Sequence, residues 1–464
     1  MTGLTAPLFK AALTGDVKAL QDALAAGEDP HAVTEWGVTP LIVAADRGHT
    51  EAVRVLLPVS NPLHKDPDFQ WTALQHAMGA GQAECAGLLI ADSEPLEEDD
   101  EGHTPLARAA GMLSPEMVRA LLPFSDPKQI SWSGGHHTAL TRAAAAEGQS
   151  LCVAELLAHS DIEHKTQGGL TALMHAAKTG NLDSVRLLAP VANAHAFDAA
   201  GKTALMHAAA AGRAGVVEFL LSFSDARQTD DWDEDALMHA ASGGHDSCVE
   251  VLLPASDPRR FPGADKKAST RENIKRTALM HAANKGHAGC VDMLLPHSDP
   301  NAQDNKGLTA LMACVGRIDC ARILAQKTNV NLQDNRGETA LMIALNLGQH
   351  DTAALLAPLS DMAIKDNFGR TALDAAIISH HSNMGLSPAQ RMAPLLAVLP
   401  YVDDAGRQEM MVECEEREED AALLGAALAA HDQTVLQATL DHARASEEPA
   451  DDTPIAVRRP PRSL

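Results

Sequence analysis

The stretch that decides the fold is Thr171-Ala-Leu-Met-His-Ala-Ala-Lys-Thr-Gly180, because 32 residues later the chain reads Thr203-Ala-Leu-Met-His-Ala-Ala-Ala-Ala-Gly212. The same opening, or a near variant, begins at Thr39, Thr72, Thr104, Thr138, Thr171, Thr203, Asp235, Thr277, Thr309, Thr339 and Thr371. The steps are 33, 32, 34, 33, 32, 32, 42, 32, 30 and 32 residues. Ten of these eleven starting residues are Thr, and Asp235 caps a helix in the same way. A fixed period of this length means a stack of one repeated supersecondary unit, so it governs every later step.

Take the Thr position as slot zero. Slots 2, 5 and 6 are mostly Leu, Ala and Ala, as in Leu205, Ala208 and Ala209, and slot 9 is Gly at 48, 81, 180, 212, 244, 286 and 348. At ~100° per residue these slots share one side of a short helix, closed by a glycine suited to the left-handed position after it. Slots 14, 17 and 18 are usually Val, Leu and Leu, as in Val291, Leu294 and Leu295, and give the apolar stripe of a second helix. Pro at 58, 123, 190, 254, 296 and 358 stops that helix. A polar run then leads to turn signals such as Asp304-Asn305-Lys306-Gly307, Asp334-Asn335-Arg336-Gly337 and Asp366-Asn367-Phe368-Gly369. Each unit therefore reads as helix, tight turn, helix and a finger loop ending in a β-turn.

On these residues the unit resembles the ankyrin repeat, whose signature is a Thr-Pro-Leu-His-x-Ala helix start at a period of 33. Thr39-Pro40-Leu41 and Thr104-Pro105-Leu106 match its first three letters, and Gly48-His49, Gly244-His245 and Gly286-His287 match the family's inter-helix turn. The resemblance runs from residue 8 to about 400, as an array of about eleven to thirteen units. Two features depart from the pattern. Slot 3 is usually Met where the family has His, and Pro296-His-Ser-Asp-Pro300 replaces the usual Gly-Ala-Asp ending. The resemblance implies an all-α solenoid of stacked helix-turn-helix units with β-turn fingers. It also implies binding of other proteins through inner helices and fingers, with no catalytic group of its own.

The chain organises around this array. Residues 1–35 read as an N-terminal capping repeat, 36–400 as the array, 401–445 as an acidic linker with a C-terminal capping helix pair, and 446–464 as a disordered tail. The last repeat is swollen between its helices by residues 379–390. Within 421–445, two apolar helical stretches flank a polar turn, next to the acidic run 413–420. The 42-residue step adds a finger insertion over 258–276, with Arg259, Arg260, Lys266, Lys267, Arg271, Lys275 and Arg276 against Asp265 and Glu272, a balance of 7 − 2 = +5. Either it contacts an acidic or phosphorylated partner, or its charges merely keep a surface loop solvated. The cluster at 94 and 97–101 reads as a solvated acidic loop.

Composition narrows the function classes. Of 464 residues, 37 are Lys or Arg and 62 Asp or Glu, a net charge of −25, which argues against nucleic acid as the main partner. No apolar run approaches the ~20 residues of a membrane span, and the first ten residues do not read as a secretory signal. Seven scattered cysteines without a Cys-x-x-Cys pair suggest an intracellular chain with free thiols, and the chain is expected to be cytoplasmic and monomeric. Cys85, Cys248 and Cys290 share slot 13, and Cys152 and Cys320 align there once their repeats' length differences are allowed. This recurrence marks them as core fillers, as it does Cys314, whereas Cys414 beside acidic residues reads as exposed. Phosphate-loop, dinucleotide, nucleophile-elbow, zinc-protease and kinase motifs are all missing, so no enzyme, cofactor or metal is expected. The pairs His136-His137 and His380-His381 read as loop histidines without partner ligands.

One polar slot repeats. Slot 4 holds His76, Arg108, Arg142, His175, His207, His239 and His281, about 200° from slot 2 and so directed away from the core stripe. Either these side chains wedge between neighbouring first helices, or they form a partner-contacting or pH-sensitive row. Adjacent repeats space them too widely for one tetrahedral ion. With Arg259, Arg260, Lys266, Lys267 and Arg271 they make up the candidate partner-binding residues. The leading expectation is a non-catalytic protein-interaction scaffold. The alternative is a regulatory or secreted effector module whose C-terminal Arg458, Arg459 and Arg462 direct targeting.

Overall fold

A computed structural model describes residues 6–93, 102–112, 114–131, 135–146, 148, 150–262, 275–382, 387–414 and 418–446. The acidic cluster at 94–101, Lys266, Lys267 and Arg271 of the insertion, and the tail 447–464 lie outside the described residues. Among the described residues the fold is all-α, and its β structure is one isolated bridge between Ser131 and His137. The chain forms two compact units, Met1–Asp299 and Pro300–Leu464. No described helix is long and apolar enough to cross a membrane.

Among the described residues the first unit stacks nine helix pairs, from Pro7–Thr14 with Val17–Ala25 to Ala278–Lys285 with Ala288–Leu294. From the Thr39 repeat onward each first helix starts where the slot-zero side chain captures a free backbone N–H, whereas Pro7–Thr14 starts at Ala6 with proline at its first position. Thr203 Oγ1 accepts from the Met206 N–H at 3.3 Å, and the Asp235 carboxylate accepts from Met238 at 3.0 Å. The slot-3 Met that departs from the family pattern is buried, and the backbone N–H of Thr171 and Thr203 each lies 3.5 Å from the sulfur three residues on. Slots 2, 5 and 6 form the core as expected: Leu205, Ala208 and Ala209 are all buried, and their small size lets neighbouring first helices pack closely. In the second helices slot 17 is buried, while slot 18 is half-buried in some repeats (Leu221, Leu295) and buried in others (Ile90, Ala189).

The prolines act slightly differently from plain stop signals. Pro58, Pro123, Pro296 and Pro358 sit inside 3-10 turns, such as Leu57–Val59 and Leu295–His297, that finish the second helix. Lacking an N–H, proline forbids the next α-type bond, and the chain tightens before leaving the helix. The fingers then meet edge to edge through backbone bonds, Ala199 N–H to Gly168 O at 3.1 Å and Asp231 N–H to Ala200 O at 3.1 Å. That approach needs Gly169: its φ is +79°, and a Cβ there would lie 2.5 Å from Ala199 N.

The second unit repeats the pattern in the Thr309, Thr339 and Thr371 repeats. The swelling after residue 379 goes largely into helix: Ala372–Ser382 and Pro388–Val398 each have 11 residues. Beyond them lie Asp404–Cys414 and a single helix, Glu418–Ser446, which runs through the polar stretch read as a turn within 421–445. That stretch, His431-Asp-Gln-Thr434, holds neither Pro nor Gly, so nothing breaks the helix. His380 and His381 lie in a helix rather than a loop. They anchor the two sides of the acidic run, His380 to Asp420 at 3.2 Å and His381 to Glu413 at 2.8 Å. Cys414 is buried against Met392 instead of exposed, because its helix turns that face inward. All seven cysteines are free and buried.

Candidate functional site

The slot-4 row is less open than its helical angle suggests. His239 is buried and the other six side chains are half-buried. A single helix's angle says only where its own core lies. Here the finger of the same repeat and the base of the preceding finger cover the far side.

Two sets of contacts account for the row. The first lies within a repeat. His76, His207 and His239 each place Nε2 at 2.9 Å from an Asp carboxylate at the base of their own finger: Asp66, Asp198 and Asp230. Those carboxylates also close the finger turn. Asp198 Oδ1 accepts from the backbone N–H groups of Ala200 and Lys202 at 2.8 Å each. Burial works to raise the Asp66 carboxyl, but the N–H groups of Phe69 and Trp71 and the His76 imidazole outweigh it and hold it below its ordinary value.

The second set links neighbouring repeats, joining slot −1 of one to slot 4 of the next. The Arg108 guanidinium lies over the Trp71 ring at 5.2 Å, Arg142 meets His103 Nε2 at 2.6 Å, the His137 and His175 rings are 5.1 Å apart, and His281 Nε2 is 3.3 Å from Glu234 Oε1. Burial pushes His175 and His281 down to about 4, with neighbouring His137 and Arg276 adding to it. Burial also lowers His207, although Asp198 works the other way. These imidazoles are therefore uncharged at neutral pH.

Arg259 and Arg260 are the described candidates of the basic insertion. Arg259 is exposed, and its Nε donates to the His297 carbonyl at 3.3 Å. Arg260 is turned back on the preceding finger, donating to both the carbonyl and the carboxylate of Asp233 at 2.6 Å.

A second set of residues was missed in the sequence. Trp36, Phe69, Trp232 and Phe368 all occupy slot −3, at the tips of their fingers, and are 50%, 60%, 48% and 76% exposed. The chain has only 13 aromatic residues (4 Trp, 8 Phe, 1 Tyr), so four at one exposed slot is a concentration. Lys202 lies 5.7 Å from the Trp232 ring and Arg370 4.9 Å from the Phe368 ring, and these contacts steady the rings without covering them. The signal was present as a recurrence at a negative slot, but only in some repeats. In the second unit a cleft of about 660 Å³ adjoins the fingers, with Leu308, Ile343, Leu347 and Arg370 among its lining residues.

The arrangement, a stack of helix pairs whose fingers present aromatic rings, can now be set beside known proteins. A family model described as ankyrin repeats (3 copies) matches residues 8–93, 60–131, 140–230, 237–334 and 326–385. No curated protein matches the chain. With that model covering most of its length, the chain belongs to the ankyrin-repeat family.

Proposed function

We propose that the chain is a non-catalytic protein-binding scaffold that grips its partner through the finger tips. The observation that carries this is the exposed ring at slot −3 in four fingers, Trp36, Phe69, Trp232 and Phe368. Large aromatic side chains left in water gain most when a partner covers them, and they dominate binding energy where they occur in interfaces. In the Phe69 and Trp232 fingers the slot-4 row then acts indirectly, His76 and His239 holding the Asp66 and Asp230 finger bases. Arg259 and the remaining basic residues of the 258–276 insertion carry positive charge in an otherwise acidic chain of net charge −25, suited to acidic protein segments rather than nucleic acid. The reading places the protein inside the cell, as a monomer, without a cofactor.

The test is a crosslinking capture with the full chain from its native cells, compared with a variant carrying Trp36→Ser, Phe69→Ser, Trp232→Ser and Phe368→Ser. Capture of the wild type's main partner should fall at least tenfold. Undiminished capture by the variant would remove the finger tips from the function.

A further inference from the structure

The ladder of fingers in the second unit stops at the finger of the Thr371 repeat. Asn335 N–H donates to the Lys306 carbonyl and Asn335 Nδ2 to the Asn305 carbonyl, at 3.0 and 3.1 Å. One repeat on, Asn367 makes the same two bonds, to the Arg336 and Asn335 carbonyls at 3.0 Å each. A third bond lies two residues earlier. There the slot −6 side chain donates to the slot −6 carbonyl of the following finger, Gln303 to Gln333 at 2.8 Å and Gln333 to Lys365 at 2.9 Å. Lysine at that slot does the same, since Lys165 Nζ donates to the Phe197 carbonyl at 2.6 Å. The finger after Leu359 takes residues 360–370. After Tyr401 only Val402 and Asp403 precede the helix Asp404–Cys414, too short a run for another finger. Lys365, Asn367, Phe368 and Gly369 are accordingly exposed. Among the described residues, nothing donates to the Asn367 and Phe368 carbonyls. A Cβ on Gly307 or Gly337 would meet the next finger's backbone nitrogen at 2.6 or 2.7 Å, whereas one on Gly369 would meet nothing within 4 Å.

We propose that this edge docks an asparagine-bearing turn of the partner protein, seated as a further finger would be. The turn's Asn backbone N–H and carboxamide donate to the Phe368 and Asn367 carbonyls. Its carbonyl two residues before the Asn accepts from the Lys365 ammonium. The occupant's chemistry is read from within the same unit, where two successive fingers present this donor and acceptor set to an edge of the same pattern. The proposal rests on the reading of the chain as a protein-binding scaffold and adds what the partner must carry. The edge is held in shape before binding. Asp366 Oδ1 accepts from the N–H groups of Phe368 and Arg370 at 2.8 Å each, its Oδ2 lies 2.6 Å from the Arg370 guanidinium, and that guanidinium lies over the Phe368 ring. Groups fixed in advance lose little freedom on docking. Each new bond replaces one to water and adds little affinity alone. Selection is stronger, because a partner without the donors would cover the carbonyls and leave them unpaired. The exposed Phe368 ring beside them supplies apolar area for the partner to cover. A second copy of the chain fits less well: its first finger carries Glu35 at slot −4, whose carboxylate cannot donate to the Asn367 carbonyl.

The experiment uses the full chain and, as probe, a cyclic peptide of its own finger sequence Gln333-Asp-Asn-Arg-Gly-Glu338. Calorimetry should show one saturable site. Changing the probe's Asn to Asp should weaken binding about fivefold, and methylating that Asn's backbone nitrogen about tenfold, since each removes a donor without touching the protein. Lys365→Ala should weaken it about threefold. With ¹³C at the Phe carbonyls, the Phe368 signal, identified by its loss in Phe368→Leu, should move on binding while the other Phe signals stay. In the crosslinking capture described above, excess probe should displace the main partner and its N-methyl form should not. No saturable binding by millimolar probe, equal affinity of the three peptides, an unmoved Phe368 signal or a partner that stays bound under saturating probe would overturn the proposal. So would self-association of the chain that the probe reverses, which would assign the edge to a second copy. Failure here is distinguishable from failure of the scaffold reading: loss of the partner in the four-serine variant, with no displacement by the probe, removes the edge alone.

Discussion

The two units fix their fingers with different chemistry. In the Met1–Asp299 unit slot 4 is His or Arg in seven consecutive repeats, each packed against a finger base. In the Pro300–Leu464 unit the same slot holds Ala313, Ile343 and Ala375, and side-chain amides take over. Gln303 Nε2 donates to the carbonyls of Gly307 and Gln333 at 2.8 Å each, and Gln333 Nε2 donates to those of Gly337 and Lys365 at 2.6 and 2.9 Å. Asn335 Nδ2 reaches the Asn305 carbonyl at 3.1 Å, and Asn367 Nδ2 the Asn335 carbonyl at 3.0 Å. The same mechanical task is thus done once by imidazole and guanidinium groups and once by uncharged amides. Removing the polar row also opens space, and Ile343 and the 63% exposed Leu347 border the cleft in the second unit.

Acid gives the largest effect that separates the units. A histidine whose folded pKa lies below its ordinary 6.5 gives its full stability above that value and loses it as pH falls toward the folded pKa. For His175 and His281, folded near 4, the window runs from pH 6.5 to 4, and each forfeits up to about 3 kcal/mol by its end. Amide exchange, corrected for its intrinsic pH dependence, should accelerate in the Thr171 to Thr277 repeats at pH 4.5 before it does in the Thr309 and Thr339 repeats. Simultaneous opening of both regions would break the comparison. His175→Gln with His281→Gln should flatten the response.

The slot-2 leucines test what the units share. Leu205→Ala and Leu341→Ala each empty a fully enclosed position and should cost about 3 kcal/mol, equally in both units and independently of pH. Denaturant-dependent amide exchange, read repeat by repeat, measures it. A smaller effect sharpens the contrast. Gln333→Ala removes two amide bonds and should cost about 1 kcal/mol, unchanged between pH 7 and 5. Smallest are the tip rings: Trp36→Ala or Phe69→Ala should shift stability by less than about 0.5 kcal/mol, since exposed side chains hold little of the fold. A large loss there would mean that the tips serve folding and not recognition.

Much of the fold was legible because its determinants are local. Thr203 capping Met206, the Leu205–Ala208–Ala209 stripe and the left-handed Gly180 and Gly212 are each written within ten residues. The environment of slot 4 was not, because it depends on what neighbouring repeats bring. His175 is enclosed by His137 from the preceding unit, and His281 meets Glu234 across a 42-residue step. The Glu418–Ser446 helix was misjudged from polarity alone, although polar residues without Gly or Pro do not end a helix. The finger-tip rings escaped because Trp36, Phe69, Trp232 and Phe368 recur in only some repeats, and a search for periodicity rewards what recurs in all.

The sealed cysteines carry a practical consequence. Cys85, Cys152, Cys248, Cys290 and Cys320 each sit in the second helix of a different repeat, within the packed interior, and burial pushes the Cys152 and Cys248 thiols up to about 11. A sulfhydryl reagent can modify any of them only after that repeat has parted from its neighbours. The order in which they become labelled is thus a record of where the stack breathes, obtainable from the unmodified chain by peptide mass spectrometry.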